Sequence, residues 1–255
     1  MDLGLRDKVI WVTGGASGIG ESVVRLLAEE GAIPVILDRD ADRAHRLRDE
    51  LRWGDVAVCD LSDDGKVCDT AADLLQRHGR IDGLVNNAGT NDGAGLAKSV
   101  EDFRQSLERN LVPAFALVRL TADGLRASGG AIVNVASKVA LTGQGDTSGY
   151  AGAKGGLLSL TREWAIDFAP SGVRVNAVVP AEVWTPMYER WLSSQPDPEA
   201  RKALIERRIP LGRRMTSVAE IAATVVFLLS PRSSHTTGQF LHVDGGYVHL
   251  DRAYP

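Results

Sequence analysis

Short apolar runs alternate with longer amphipathic stretches from one end of the chain to the other. Lys8 to Thr13 (KVIWVT) is nearly all apolar, the pattern of a strand buried on both faces of a parallel sheet. Glycines follow. Val23, Val24, Leu26, Leu27 and Ala28 then mark the buried face of a helix running from Glu21 to Gly31, glycine being a natural helix stop. Further strands are predicted at Ile33 to Leu37, Asp55 to Cys59, Ile81 to Asn86, Ala131 to Ala136, Val173 to Val179 and Gln239 to Val243. Between them the periodicity predicts helices over Asp40 to Arg52, Asp63 to Gly79, Ser99 to Arg126, Ser148 to Pro170 and Ser217 to Leu229. Strict alternation of this kind predicts one α/β domain of 255 residues, a doubly wound, seven-stranded parallel sheet with helices on both faces. The one long interruption, Pro180 to Met215, is rich in proline, charge and aromatics. Trp184, Tyr188, Trp191 and Leu192 make it a folded lid, about 181–216, rather than a linker.

Composition narrows the function without naming it. A net charge of -4 offers no basic field to nucleic acid or anionic membrane. Cys59 and Cys68 have no zinc or CxxC spacing, and Cys59 reads as a buried small residue. His45, His78, His242 and His249 show no ligand-like spacing, and Glu199 to Arg208 reads as a solvated helical face. No metal is expected. The first residues, MDLGLRDK, lack the features of a signal peptide, and no apolar run reaches membrane length. A cytoplasmic enzyme is the expectation.

The candidate chemistry lies where the predicted strands end. The first strand runs into Thr13-Gly14-Gly15-Ala16-Ser17-Gly18-Ile19-Gly20. Such a turn lets backbone approach a pyrophosphate, and the following helix directs its first amides at it. Asp38 closes the second strand at the distance where a carboxylate receives an adenosine ribose 2′-hydroxyl and repels a 2′-phosphate. NAD is therefore expected, with NADP the weaker alternative because Arg39 stands beside Asp38. Asn86-Asn87-Ala88-Gly89 closes the fourth strand, Ser137 follows the fifth, and Tyr150 and Lys154 lie four apart on one helical face. A phenol with an ordinary pKa of about 10 is a poor base at neutral pH, and lowering it by three units needs about 4 kcal/mol. A neighbouring ammonium and a positive nicotinamide would supply that.

TGGASGIG, NNAG, Ser137 and YAGAK together resemble the defining motifs of the short-chain dehydrogenase/reductase family, over essentially the whole chain. The resemblance implies a Rossmann-type fold, Tyr150 as general acid/base, Ser137 steadying the substrate oxygen, and Lys154 bonding the nicotinamide ribose while lowering the Tyr150 pKa. It also implies that Asn110 holds a water in a proton relay, that Asp60, with Leu61, contacts adenine, and that Asn87, Ala88 and Gly89 line the adenosine ribose. Pro180, Val183 and Thr185 would meet the nicotinamide end, Thr185 at the carboxamide, while Ser17, Ile19 and the glycines 14, 18 and 20 hold the pyrophosphate. Homotetramers built on two long helices and the last strand are the family's common assembly.

For the substrate, the family's usual Pro-Gly after the sixth strand is here Pro180-Ala181-Glu182. A carboxylate at that point is a good acceptor for sugar hydroxyls and a poor wall for a steroid. Asn91, Asp92 and Gln144 add polar groups, and Trp184 and Tyr188 offer rings to stack on a pyranose. NAGTNDG, GQGDTSGY, PAEVWTPMY, LGRR, HTTGQ and VDGGYVHLDRA resemble bacterial L-fucose dehydrogenases. That resemblance implies NAD-linked oxidation of a sugar C1 hydroxyl to an aldonolactone, with L-galactose and D-arabinose as related substrates. It also suggests that the tail, Tyr247 to Pro255, reaches a neighbouring subunit. Two rivals stand beside this reading: a 17-beta-hydroxysteroid or other secondary-alcohol dehydrogenase, which PxxVWTP and LGR also resemble, and a non-catalytic NAD-binding sensor.

Overall fold

The computed structural model describes residues 2–250. Seven strands form one parallel sheet: β1 (Val9–Thr13), β2 (Ile33–Asp38), β3 (Asp55–Val58), β4 (Gly83–Asn86), β5 (Ala131–Val135), β6 (Arg174–Pro180) and β7 (Phe240–Val243). Their order is β3-β2-β1-β4-β5-β6-β7. The first three strands step one way from β1 and the last four the other, so β1 pairs with both β2 and β4. This reversal is where doubly wound sheets open a crevice at the strands' C-terminal ends.

The sheet separates two apolar layers by strand periodicity. On β1, Ile10 and Val12 face one layer while Val9 and Trp11 face the other. The first layer is closed by α1 (Gly18–Glu29), α2 (Ala41–Leu51) and α10 (Val218–Leu229), through Val23, Leu27, Leu47, Ile221 and Val225. The second is closed by α3 (Asp64–His78), α5 (Val112–Ser128) and α7 (Ser148–Phe168), through Leu74, Leu117, Leu125, Leu157 and Trp164. Cys59 is buried and Cys68 exposed, both as free thiols.

The expected helix from Ser99 to Arg126 is in fact two. α4 (Val100–Asn110) ends at Leu111, whose φ of -129 and ψ of -51 leave the helical region, and α5 starts at Val112. Pro113 is the cause: it has no N–H to donate and its ring collides with the carbonyl four residues back. α1 also begins earlier than its apolar face suggests, at Gly18 inside the glycine turn. A short helix after Ser137, α6 (Val139–Thr142), has no periodicity long enough to read from sequence. The segment after β6 folds as α8 (Pro186–Ser193) and α9 (Pro198–Glu206), anchored by a parallel bridge between Val183 and Thr216. α9 turns its acidic and basic residues outward around a buried Ile205. Among the described residues no helix is long and apolar enough to cross a membrane.

Candidate active site

The glycine turn is built for close backbone contact. Gly14 and Gly18 hold φ values of 61 and 57, which side chains rarely adopt. A Cβ on Gly20 would run into the Gly14 carbonyl oxygen and come within 2.7 Å of Asn87 Nδ2. Asn87 is the staple: its Nδ2 donates to the carbonyls of Thr13 at 2.9 Å and Gly14 at 3.2 Å. Thr13, a residue the motif reading passed over, completes the join. Its buried hydroxyl donates to the Val85 carbonyl and accepts from the amides of Asn87 and Ala88. The first amides of α1 receive no side-chain cap from Ser17, leaving the positive helix end directed out of the turn. Asp38 ties the turn to β2, accepting from the Ala16 amide at 3.0 Å and from the Asp40 amide at 3.0 Å. These features fit a dinucleotide pyrophosphate and ribose. Asp60 accepts from the amide and hydroxyl of Ser62 in an exposed turn after β3, which lowers its pKa through the Ser62 backbone bond first.

Ser137, Tyr150 and Lys154 meet beside β5. Ser137 follows two residues after that strand ends, and its side chain lies near enough to the Tyr150 phenol to draw its pKa down. Lys154 is buried, donates to the Val135 carbonyl at 2.8 Å and holds its ammonium 5.6 Å from the Tyr150 ring centre. Burial pushes the Tyr150 phenol up to about 12, with Ser137 pulling the other way. Burial likewise pushes Lys154 down to about 8. The expected phenolate-favouring effect of Lys154 is not seen in the protein alone: burial raises the Tyr150 pKa and Ser137 is what opposes it.

Helix α7 is held in place by a buried chain of amides and hydroxyls. Asn86 Nδ2 donates to Asn134 Oδ1, Asn134 Nδ2 to Thr161 Oγ1, and Thr161 to the Leu157 carbonyl, each at 2.8 Å. Sequence reading named neither Asn134 nor Thr161; a buried amide inside an apolar strand was the available signal. Asn110 sits at the break between α4 and α5, so its amide turns inward. It accepts from the Thr90 amide at 2.7 Å and donates to the Ser106 carbonyl at 2.9 Å. A Cβ on Gly89 would lie 2.9 Å from Asn110 Oδ1 and 3.3 Å from Lys154 Nζ, so all three converge.

The lid closes over the same edge. Thr185 caps α8 by accepting from the Tyr188 amide, and its methyl would meet a Cβ on Gly18 at 3.7 Å. Met187 Sδ lies 3.8 Å from the Thr90 hydroxyl. Val183 is buried beneath them. Glu182 is not the open acceptor expected of it: one oxygen is paired with the buried Lys138 ammonium and the other accepts from the Tyr188 hydroxyl at 2.7 Å. Burial, then the adjacent Glu182 carboxylate, hold the Tyr188 phenol well above its ordinary range. Lys138 also stands 4.3 Å over the Tyr247 ring. Neither Lys138 nor Tyr247 was singled out for this site by sequence, although a lysine directly after the strand-end serine was the clue.

Other polar candidates are committed elsewhere. Asp92 accepts from Ser106 Oγ at 2.9 Å and pairs with Arg109 at 3.6 Å, binding its loop to α4. Asn91 accepts from the Gly93 amide at the surface, and Gln144 is exposed. Trp184 is partly exposed beneath the Lys202 ammonium, and Tyr188 packs edge-on against Trp191. Tyr247 sits within its own chain's cluster of Ile205, Ile209 and Met215. Residues 251–255 of the expected intersubunit tail lie outside the described residues. His242 and His249, seven residues apart, meet edge-on with ring centres 4.2 Å apart. Among the described residues no group of three histidine, cysteine or acidic side chains is arranged to hold a metal.

A glycine cradle at the switch point and a Ser–Tyr–Lys set contributed by the end of β5 and by α7 define a nicotinamide-dependent oxidoreductase. The family model described as enoyl-(acyl carrier protein) reductase matches residues 14–248. The chain belongs to the short-chain dehydrogenase/reductase family. It is 38% identical to L-fucose dehydrogenase of Bos taurus over 243 residues, covering 94% of this chain and 88% of that one. It is 35% identical to the 3-oxoacyl-[acyl-carrier-protein] reductase FabG of Thermotoga maritima, covering 96% and 99%. Among solved structures, the Cj0485 dehydrogenase superposes with a TM-score of 0.95 at 44% identity, covering 99% and 98%. The aldohexose dehydrogenase of Thermoplasma acidophilum superposes with a TM-score of 0.90 at 28% identity, covering 99% and 98%. Membership brings a nicotinamide cofactor, NAD or NADP, and chemistry at a carbon bearing a hydroxyl.

Proposed function

We propose that this enzyme oxidises the C1 hydroxyl of L-fucose and related neutral sugars to the aldonolactone, using NAD. The observation that carries the reaction is the convergence of Ser137, Tyr150 and the buried Lys154, whose ammonium lies 5.6 Å from the Tyr150 ring centre, at the edge where the glycine turn opens. Bound nicotinamide supplies the hydride acceptor. The backbone of Gly14, Ser17, Gly18, Ile19 and Gly20 would hold its pyrophosphate and Asp38 its adenosine ribose. Asp60, Leu61, Asn87, Ala88 and Gly89 would line the adenosine, and Pro180, Val183 and Thr185 the carboxamide end. Lys154 would bond the nicotinamide ribose.

Ser137 positions the sugar hydroxyl and Tyr150 takes its proton as C–H bond cleavage proceeds. Lys154, with its pKa depressed to about 8, is the neighbouring group able to pass the proton on toward Asn110. The sugar assignment is supported by likeness to L-fucose dehydrogenases; of the polar residues expected to serve it, Asn91, Asp92, Gln144 and Trp184 are engaged or exposed away from the reacting groups, while Glu182 and Tyr188 stand together after β6. Assembly as a homotetramer belongs to the same proposal, supported by outward-facing Phe103, Phe115 and Ile166 on the long helices. NADH formation with L-fucose, L-galactose and D-arabinose beside estradiol tests the substrate. The proposal expects turnover of the sugars, and oxidation of estradiol alone overturns it.

A further inference from the structure

Lys138 and Glu182 form an ion pair whose side chains keep only 8% and 11% of their surface. Its placement ties it to the reacting groups. Lys138 follows Ser137 directly, and its amide donates to the Pro180 carbonyl at 2.8 Å, which joins the ends of β5 and β6. Glu182 leaves that same end, between Pro180 and Thr185. The pair is enclosed by Tyr188 from α8, donating to the second Glu182 oxygen, and by the Tyr247 ring against the Lys138 ammonium. The loop after β5, the loop after β6, the lid and the C-terminal segment thus all meet at one neutralised pair.

We propose that this pair determines substrate charge, making the site select neutral polyhydroxylated substrates against sugar acids; this rests on the sugar reading above. A buried ammonium on the residue next to Ser137, at the ends of β5 and β6, is by itself a strong receptor for an aldonate or uronate carboxylate. Here Glu182 already occupies that ammonium and presents a negative charge to any carboxylate that approaches. Hydroxyls, which both donate and accept, meet no such penalty at a neutral pair. The residue that converts the specificity is Glu182, and the residue the conversion depends on is Lys138.

The test compares wild type, Glu182→Gln, and Glu182→Gln combined with Lys138→Met. The probes are L-fucose and D-galacturonate, scored by kcat/KM, and D-gluconate, whose C1 is already a carboxylate; the thermal shift that each sugar acid produces on the NADH-bound protein is read as well. Glu182→Gln is expected to improve the ratio of sugar-acid to neutral-sugar kcat/KM by at least about tenfold, the size of one charge-assisted bond. It should also acquire a sugar-acid thermal shift that wild type lacks, and the added Lys138→Met should remove both. Folded, NADH-binding Glu182→Gln with no gain overturns the inference, as does a gain that survives Lys138→Met. Glu182→Ser repeats the comparison where the glutamine variant does not fold. Loss of the sugar reading is seen separately, as wild type that turns over no neutral sugar while Glu182→Gln still gains the thermal shift. Wild type that oxidises L-fucose with no gain in either variant refutes the ion-pair inference alone.

Discussion

Asp38→Asn separates the two duties of the residue that closes β2. In the folded chain its carboxylate accepts from the Ala16 and Asp40 amides, both at 3.0 Å, so it braces the glycine turn as well as facing a ribose. Asparagine keeps one acceptor oxygen and shape but loses the charge. Losing one amide–carboxylate bond costs about 1 kcal/mol, a fall in melting temperature of about 2–4 °C. The electrostatic effect is larger and opposite in sign for the two cofactors. Two unit charges about 4 Å apart interact by about 4 kcal/mol at an effective dielectric of about 20. Asp38 is half-buried at a solvated edge, and screening there reduces this to about 1–2 kcal/mol. The NADP-to-NAD ratio of kcat/KM should therefore rise roughly five- to thirtyfold. Steady-state kinetics with both cofactors at fixed sugar reads it directly. An unchanged ratio in a folded variant would refute the assignment of Asp38 as the NAD determinant.

Gly20→Ala should lose cofactor affinity and about 1–3 kcal/mol of stability, since its Cβ meets the Gly14 carbonyl and Asn87; NADH fluorescence titration and a thermal melt check both. Trp164→Ala empties a site only 5% exposed between α7 and the sheet, and urea unfolding should show a loss of about 3–5 kcal/mol. Lys154 supplies a pH signature. Its pKa falls from 10.5 to about 8 on folding, so the folded protein binds fewer protons than the unfolded chain between those values and stability rises with pH there. Lys154→Met does not titrate. Its stability relative to wild type should fall by roughly 2 kcal/mol between about pH 7 and about pH 9.5, and a pH-independent difference in urea unfolding contradicts the burial assigned to Lys154.

The sheet was legible because strands buried on both faces, such as β1 and β5, are continuous apolar runs that nothing else in the chain imitates. The glycine turn, Ser137, Tyr150 and Lys154 were legible because their spacing is set by backbone geometry at strand ends. The break at Leu111 was missed because apolar periodicity carries on across it, and only Pro113 interrupts the hydrogen bonding. The Lys138–Glu182 pair was out of reach for a different reason. Its partners lie 44 residues apart, and only the pairing of β5 with β6 brings them together. Glu182 was therefore noticed as a departure from the family pattern, while its engagement with Lys138 and Tyr188 waited for the fold. Asp92 shows the same thing: a polar residue beside a motif, turned by its loop to α4 rather than to the pocket.

The central claim is that a hydride leaves C1 of a sugar for nicotinamide while Tyr150 takes the neighbouring proton. L-fucose carrying deuterium at C1, incubated with NAD and the enzyme, should yield reduced nicotinamide containing that deuterium, and Tyr150→Phe should yield at least about a hundredfold less. Reduced nicotinamide without the label, or undiminished transfer by Tyr150→Phe, would contradict it.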